Sequence, residues 1–170
     1  MWRNLAADKG SMIMQGESPK LRLLAHDGDD VAVLSALLQD AIIPGSDMSF
    51  DRKLNEFVII ANRFCWELEP LFDVKSSDGR PIYERHLCGI RIAHVRSVQH
   101  HNWPELRQNE LFNPLALGLI DMAGKAGECT VLQFEFSGGS SLRLNVDDVD
   151  IVLADLDVGH PTSLQPVHQF

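Results

Sequence analysis

The sequence predicts an α+β domain with a curved antiparallel sheet, or a partly open barrel, of about seven to eight strands packed with one main helix. Apolar residues recur at helical spacing over residues 27–42, and after Pro44 they alternate with the period of two that is typical of strands. Short turns join the extended segments without long helices between them, which favours antiparallel pairing over βαβ units. The 170 residues, 45% of them hydrophobic, suffice for one such domain.

We expect the folded domain to span residues 20–157. Residues 1–19 have no sustained periodicity, and three interpretations stay open: a flexible N-terminal extension, a tag remnant around the sequence Gly-Ser-Met, or an upstream start before a native Met12 or Met14. Residues 158–170 contain two prolines and no periodicity, so we expect a C-terminal tail along the surface.

The predicted helix follows a short strand over residues 20–25. Asp27 can accept hydrogen bonds from the first free amides of the helix while Asp30 reaches back, as in a capping box. The sequence Ile-Pro-Gly at residues 43–45 ends the helix. Leu37 lies beside a face of four apolar residues, Val31, Leu34, Leu38 and Ala41.

Extended segments fill the rest of the predicted domain. A hairpin over residues 46–68 turns at residues 52–55, and the glycines of residues 137–141 supply the positive φ angles of a second tight turn. Two longer connections, residues 69–82 and 100–114, each have room for a short helical turn. Further strands are predicted over residues 83–99, 115–124, 129–138, 141–147 and 150–156.

Composition excludes several classes of partner. Lys and Arg number 15 against 24 Asp and Glu, a net charge of -9, so electrostatic repulsion opposes binding to nucleic acid and to anionic membranes. No apolar run is long enough to span a bilayer, and the N-terminus lacks the apolar core of a signal peptide. These observations predict a cytoplasmic protein. Its three cysteines, without metal-binding spacing, are predicted to be reduced and mostly buried thiols: Cys65, Cys88 and Cys129.

The strand around residues 57–67 carries an amide and two charges between large apolar residues. Strict alternation places Asn62 in a core row with Val58, Ile60, Phe64 and Trp66, and places Arg63 and Glu67 on the opposite row. We expect Arg63 and Glu67 to form ion pairs that hold neighbouring strands together, with candidates Arg85, Arg91 and Asp47. The alternative is a ligand-binding pocket formed by Asn62, Arg63, Trp66 and Glu67.

Other polar clusters are predicted to be structural. The acidic run at residues 26–30 lacks the spacing of a calcium loop and is explained by helix capping, so no metal site and no cofactor is predicted. His86 and Cys88 share one strand face, where we expect buried thiols beside sheet histidines; His94 shares that face but lies too far along an unbroken strand to complete a site.

The remaining candidates lie at predicted edges and loops. Asp148 and Asp150 are expected to protect a sheet edge from association, opposite the apolar face of their strand. His100 and His101 are expected to be solvated loop residues, and Trp103 is expected to pack over the sheet edge or to anchor a partner. No catalytic motif and no catalytic residue is identified.

The ordered combination of these segments resembles a family of small alphaproteobacterial proteins known as domain of unknown function 2948. The resemblance runs from about Leu21 to Asp157, and its most specific parts are the helix end at residues 39–41 and the segment Asn62 to Phe64 with Trp66 and Glu67. It implies a bacterial, cytoplasmic origin and a single compact domain, and it gives no catalytic residue.

The sequence therefore favours a small, non-enzymatic binding or interaction domain. The alternative is a small-ligand-binding protein or enzyme with a polar pocket around Asn62, Arg63 and Glu67. The partner is an unidentified protein or small molecule, and a homodimer that buries an apolar strand face is a further hypothesis. An architecture similar to pleckstrin-homology-like barrels is an analogy at the level of the fold and does not identify a ligand.

Overall fold

The computed structural model of the chain describes residues 19–71, 74–121 and 130–167. Within these ranges there is one α-helix, α1, Gly28–Leu38. With 11 residues this helix is too short to span a bilayer. The described strands are β1 Arg22–Ala25, β2 Ile43–Pro44, β3 Met48–Asp51, β4 Glu56–Phe64, β5 Tyr83–Ile92, β6 Val95–His101, β7 Leu111–Phe112, β8 Pro114–Asp121, β9 Thr130–Phe136, β10 Ser141–Val146, β11 Ile151–Asp155 and β12 His160–Thr162.

The strands form three antiparallel sheets. The larger sheet has six strands in the order β1-β11-β5-β4-β3, with β12 paired to the first part of β5. A second sheet has the order β6-β10-β9-β8, and a third consists of β2 and β7. The predicted α+β class is confirmed, but the strands divide among separate sheets and do not close into a barrel.

Helix α1 begins as the sequence predicts. The amide of Asp30 donates to the Oδ1 atom of Asp27 at 2.9 Å, and the amide of His26 donates to the Oδ2 atom of Asp30 at 2.9 Å. The two side chains satisfy backbone donors reciprocally, which fixes the start of the helix. The predicted apolar face is buried: Val31, Leu34, Leu38 and Ala41.

One continuous core lies between helix α1 and the inner faces of the two larger sheets. The helix packs chiefly against β8 and also contacts β1 and β4. Alternate residues of each strand enter this core, as the pleat requires. Large, fully buried apolar side chains from both sheets include Ile59, Ile90, Ile92, Leu132, Phe134, Phe136 and Leu142.

The segment predicted as one strand over residues 83–99 is two strands in different sheets, so that prediction is wrong. The extended conformation is interrupted between Ile92 and Val95, where His94 adopts a positive φ of 59°. His94 is therefore exposed at a sheet corner. His100 and His101, predicted in a loop, are the last residues of β6.

The predicted assignment of strand faces in β4 is also wrong. The core row contains Phe57, Ile59, Ala61 and Arg63, whereas Val58, Ile60 and Asn62 are half-buried on the outer face. Both rows are apolar over residues 57–60, so alternation alone does not distinguish them. Arg63 thus lies in the core row and Asn62 does not.

The strand after Asp150 and the C-terminal segment have positions in the sheet that the sequence did not predict. The strand that follows Asp148 and Asp150 is β11, an interior strand between β1 and β5, so these two residues do not protect an edge. The segment predicted as a C-terminal tail contains β12, which pairs with Tyr83 to Arg85 of β5. The glycine turn is confirmed, since Gly138 and Gly139 both have positive φ angles.

Candidate functional site

The guanidinium of Arg63 is a fully buried charged group in the six-stranded sheet. Its Nε atom donates to Oδ1 of Asp155 at 2.8 Å and its Nη2 atom donates to Oδ2 at 2.7 Å. The side chains are 1% and 0% exposed. Arg63 lies on β4 and Asp155 on β11, with β5 between these strands. The planar, two-pronged pair therefore joins two strands that are not neighbours in the sheet.

Asp155 also binds the start of β1. Its Oδ2 atom accepts a hydrogen bond from the amide of Leu21 at 2.8 Å, and its own amide donates to the carbonyl of Leu21 at 2.9 Å. One carboxylate thus connects β4, β11 and the entrance to β1. A buried charge is stable only with such complete pairing.

The ionisation of both partners reflects this pairing. Burial by itself lowers the pKa of Arg63, but hydrogen bonds to Asp155 and Glu67 raise the pKa above its ordinary value. Burial by itself raises the pKa of Asp155. The hydrogen bonds from Arg63 and from the Leu21 amide lower the pKa by more than burial raises it, so the pKa of Asp155 lies below its usual range. Both groups are therefore charged at neutral pH.

Glu67 completes the environment of Arg63. Its carboxylate accepts from Nη1 of Arg63 at 3.0 Å and lies 2.8 Å from Nη2. The expectation of an ion pair between strands is confirmed for Arg63, whose partner is Asp155, but Glu67 pairs with Arg63 itself and not across the sheet. Arg91 pairs with Glu56 at 2.7 Å instead.

Trp66 and Asn62 engage other parts of the chain. The indole Nε1 of Trp66 donates to the carbonyl of Gln39 at 3.0 Å and so satisfies an acceptor at the end of helix α1. The backbone of Asn62 exchanges two hydrogen bonds with Ile42, and its carbonyl accepts from Arg85 at 3.1 Å. Asn62 lies on the face opposite Arg63, so the structure brings Arg63 and Glu67 together and leaves the other two predicted residues apart.

His86 lies beside this ion pair on the core face of β5. Its imidazole is fully buried, with Nδ1 at 3.4 Å from Oδ1 of Asp157 and 3.7 Å from Oδ2 of Asp155. Gly159 closes over the ring: it has a positive φ of 84°, and a Cβ atom there would lie 2.7 Å from Nε2 of His86. Glycine is therefore required at position 159 by both conformation and space.

Two thiols flank the pair without being reactive. Cys65 and Cys88 are buried and free, as predicted, and burial raises the pKa of each to about 12. A thiol is nucleophilic as the thiolate, which is scarce at neutral pH for such values. Cys129 lies outside the described residues.

The outer face of the four-stranded sheet is polar. A shallow concavity of about 370 Å³ lies there. In it Arg143 donates to the side-chain oxygen of Gln133 at 2.6 Å, and Gln133 donates to Glu135. Within the part of the chain that the structure describes, no group of three His, Cys, Asp or Glu residues is arranged to hold a metal ion.

The outer face of the six-stranded sheet has more apolar residues, although Arg22, Arg91 and Asn62 also lie on it. The strand register places Leu24, Val152, Arg91 and Val58 in one row, and Arg22, Ala154, Gly89 and Ile60 in the next. Leu24 and Leu156 are 52% and 51% exposed. We call this surface the apolar face; it consists of Leu24, Val58, Ile60, Leu87, Gly89, Val152, Ala154 and Leu156.

The charges around the apolar face differ from those of the whole chain. Outward positions of the five aligned strands carry Arg22, Arg85 and Arg91 against Asp51 and Glu56, a net charge of 3 - 2 = +1. The chain as a whole has a net charge of -9. Acidic side chains are therefore concentrated away from this surface.

Sequence reasoning missed Asp155, the partner of Arg63. A signal was present, because period two from Ile151 and Leu153 places Asp155 in the same core row. A carboxylate in a core row indicates a buried cation opposite it. The identity of that cation depends on strand order, which pairs residues 92 positions apart in sequence.

Comparisons with known proteins identify one family. A family model described as "Protein of unknown function (DUF2948)" matches residues 21–168, which include every residue of the ion-pair network and of the apolar face. Neither the curated proteins nor the solved structures contain a match to the chain.

Removal of the buried guanidinium should destabilise the fold much more than removal of an exposed one. Arg63→Met leaves the carboxylate of Asp155 buried without its cation, and we expect the free energy of unfolding to fall by about 3 to 5 kcal/mol. The matched control Arg91→Met breaks an exposed pair and should change it by less than about 1 kcal/mol. Urea unfolding followed by fluorescence measures both; equal losses would contradict a special role for Arg63.

The pair should also determine stability in acid. The pKa of Asp155 is lowered in the folded state, so its contribution is fully present above the ordinary carboxyl pKa, about 4, and is lost as the pH falls through the folded value. The difference in unfolding free energy between the native sequence and Asp155→Asn should be constant from about pH 5 to 7 and should shrink below about pH 4. Urea unfolding between pH 3 and 7 measures it, and a difference that does not change with pH would refute this assignment.

Proposed function

The chain belongs to the DUF2948 family of proteins of unknown function, and from its own surfaces we propose that it is a non-enzymatic binding domain of the cytoplasm. It recognises a partner protein through the apolar face of the six-stranded sheet. The observation that carries this proposal is the exposure of Leu24, Leu87 and Leu156 on one sheet face, next to half-buried valine and isoleucine. Contiguous apolar surface of this kind marks interaction sites in monomeric proteins.

The state of the reactive groups supports binding over catalysis. Arg63, Asp155 and Glu67 are bound to one another, and the pKa values of Cys65 and Cys88 are too high for nucleophilic attack at neutral pH. The buried charged groups are thus bound to one another and stabilise the sheet.

The alternative is a small-ligand-binding protein or enzyme with a polar pocket around Asn62, Arg63 and Glu67. This alternative has less support, because the guanidinium of Arg63 is buried and its N–H groups already donate to the carboxylates of Asp155 and Glu67. A ligand would have to displace Glu67, the more exposed of the two acids, to reach it.

Affinity capture from cells of the native organism tests the proposed surface. The baits are the full chain, Leu156→Glu on the apolar face, and Leu106→Glu as a matched control, since Leu106 is 71% exposed in the connection between β6 and β7. A charge at the centre of an apolar contact should reduce capture of the true partner about tenfold or more, as at interface hot spots.

The control variant should capture that partner as well as the unmodified chain does, by quantitative mass spectrometry. Circular dichroism verifies that all three baits are folded. Identical capture by the three baits would exclude the apolar face as the contact surface.

A further inference from the structure

The C-terminal segment, residues 156–167, closes over the buried imidazole of His86. Its Gly159 lies directly against the ring, and its strand β12 pairs with Tyr83 to Arg85 at the start of β5. We infer that a proton on His86 latches this segment onto the six-stranded sheet, so that the segment docks more tightly at mildly acidic than at alkaline pH.

Apolar packing contributes little to the docking of this segment. Strand β12 has three residues. The large apolar side chains of the segment that are exposed are Leu156, Val158, Leu164 and Val167. An element that buries so little apolar surface opens at a small free-energy cost unless polar contacts hold it. The polar contacts around His86 therefore determine how often the segment opens.

Both nitrogens of the His86 ring face carboxylates. The Nδ1 atom lies 3.4 Å from Oδ1 of Asp157 and 3.7 Å from Oδ2 of Asp155, and the Nε2 atom lies 3.8 Å from Oε2 of Glu84. Neither nitrogen has a hydrogen-bond partner among the described residues. A neutral imidazole would direct a lone pair at one of these carboxylates, whereas an imidazolium has an N–H group on each side. At these distances the attraction is electrostatic and requires a charged ring.

The charged groups around the ring are mostly acidic. They come from β4, β5, β11 and the residues that follow β4 and β11: Arg63, Glu67, Glu84, Asp155 and Asp157. One guanidinium against four carboxylates gives a net charge of 1 - 4 = -3, and a proton on His86 reduces it to -2. Burial raises the pKa of the thiols Cys65 and Cys88 to about 12, so they add no charge at neutral pH. A cluster with excess negative charge favours uptake of a proton.

Asp157 connects the ring to the segment. Its Oδ1 atom accepts hydrogen bonds from the amides of Leu87 on β5 and of Gly159, both at 3.1 Å. Because Asp155 is already bound by Arg63, the charge of the ring acts chiefly on Asp157. The Oδ2 atom of Asp157 lies 2.8 Å from Nε2 of His160, a second imidazole that is 66% exposed and therefore screened by solvent. The buried ring is the stronger contact.

The pH range of the latch follows from these groups. Imidazoles change charge between about pH 5 and pH 8, whereas carboxylates stay charged above about pH 5. The contribution of the latch is therefore fully present near the acidic end of this range and is lost as His86 loses its proton at higher pH. Release of the segment leaves the backbone of Tyr83 to Arg85 without β12, as a strand edge open to another extended chain.

Hydrogen exchange followed by NMR tests the inference. Protection factors of backbone amides correct for the intrinsic effect of pH on exchange and report the free energy of local opening. We expect protection of the Gly159 and β12 amides to fall about tenfold from about pH 5.5 to about pH 8.5, while the amides of β9 and β10 keep theirs. The ring signals of His86 in the same samples should change from the protonated to the neutral form over the same range.

Three variants assign the effect to named groups. His86→Gln keeps a polar side chain that cannot carry the charge, so the segment should have the low protection of alkaline pH throughout. The control His160→Gln removes the exposed imidazole and should keep most of the pH dependence. Asp157→Asn retains an acceptor oxygen for the amides of Leu87 and Gly159 but lacks the charge. It should lose the pH dependence, and it decides the question if circular dichroism shows that His86→Gln does not fold.

Four results would overturn the inference. Protection of the segment that does not change with pH in the unmodified chain would show that no proton holds it. A His86 ring that stays neutral from about pH 5.5 upward would exclude this residue as the carrier. Loss of the pH dependence in His160→Gln would assign the proton to the exposed imidazole. Its retention in Asp157→Asn would show that the carboxylate is not the link between ring and segment.

Discussion

The buried pair of Arg63 and Asp155 is the interaction on which the arrangement of the six-stranded sheet depends. It joins β4 to β11 beneath β5, and the same carboxylate holds the entrance to β1 through the Leu21 amide. Strand neighbours are held by backbone hydrogen bonds, but this contact specifies which strands flank β5 on each side. A register shift of one residue would move either charge to the outer face and leave the other buried alone, at a cost of several kcal/mol.

The pair also has a consequence for the outer face. With Arg63 directed inward, the alternate residues Val58 and Ile60 are directed outward, on the same side of the sheet as Val152 and Leu24. The large apolar content of β4 is thus divided between two faces, of which the core covers one. The four-stranded sheet differs, because its outer face carries Gln133, Glu135 and Arg143. The contrast between the two sheets is what supports an interaction role for the larger one.

Local signals in the sequence predict local structure here. Helix α1 and its cap depend on residues within four positions of each other, and the turns at residues 52–55 and 137–141 depend on adjacent residues. The faces of β4 could not be predicted in the same way, because Phe57 and Ile59 on one row match Val58 and Ile60 on the other in hydrophobicity. The break at His94 was missed because a non-glycine residue there adopts a positive φ. The candidate site required a partner from β11, and strand order is not encoded in local periodicity.

The central claim is that Arg63 and Asp155 stabilise the fold as a pair, and a double-mutant cycle tests it most directly. The unfolding free energies of Arg63→Met, Asp155→Leu and the double variant are measured in urea against the unmodified chain. We expect a coupling energy of about 2 to 3 kcal/mol, with the double variant more stable than the sum of the single losses implies, because neither charge is then left buried alone. Additive losses, with a coupling energy near zero, would contradict the claim.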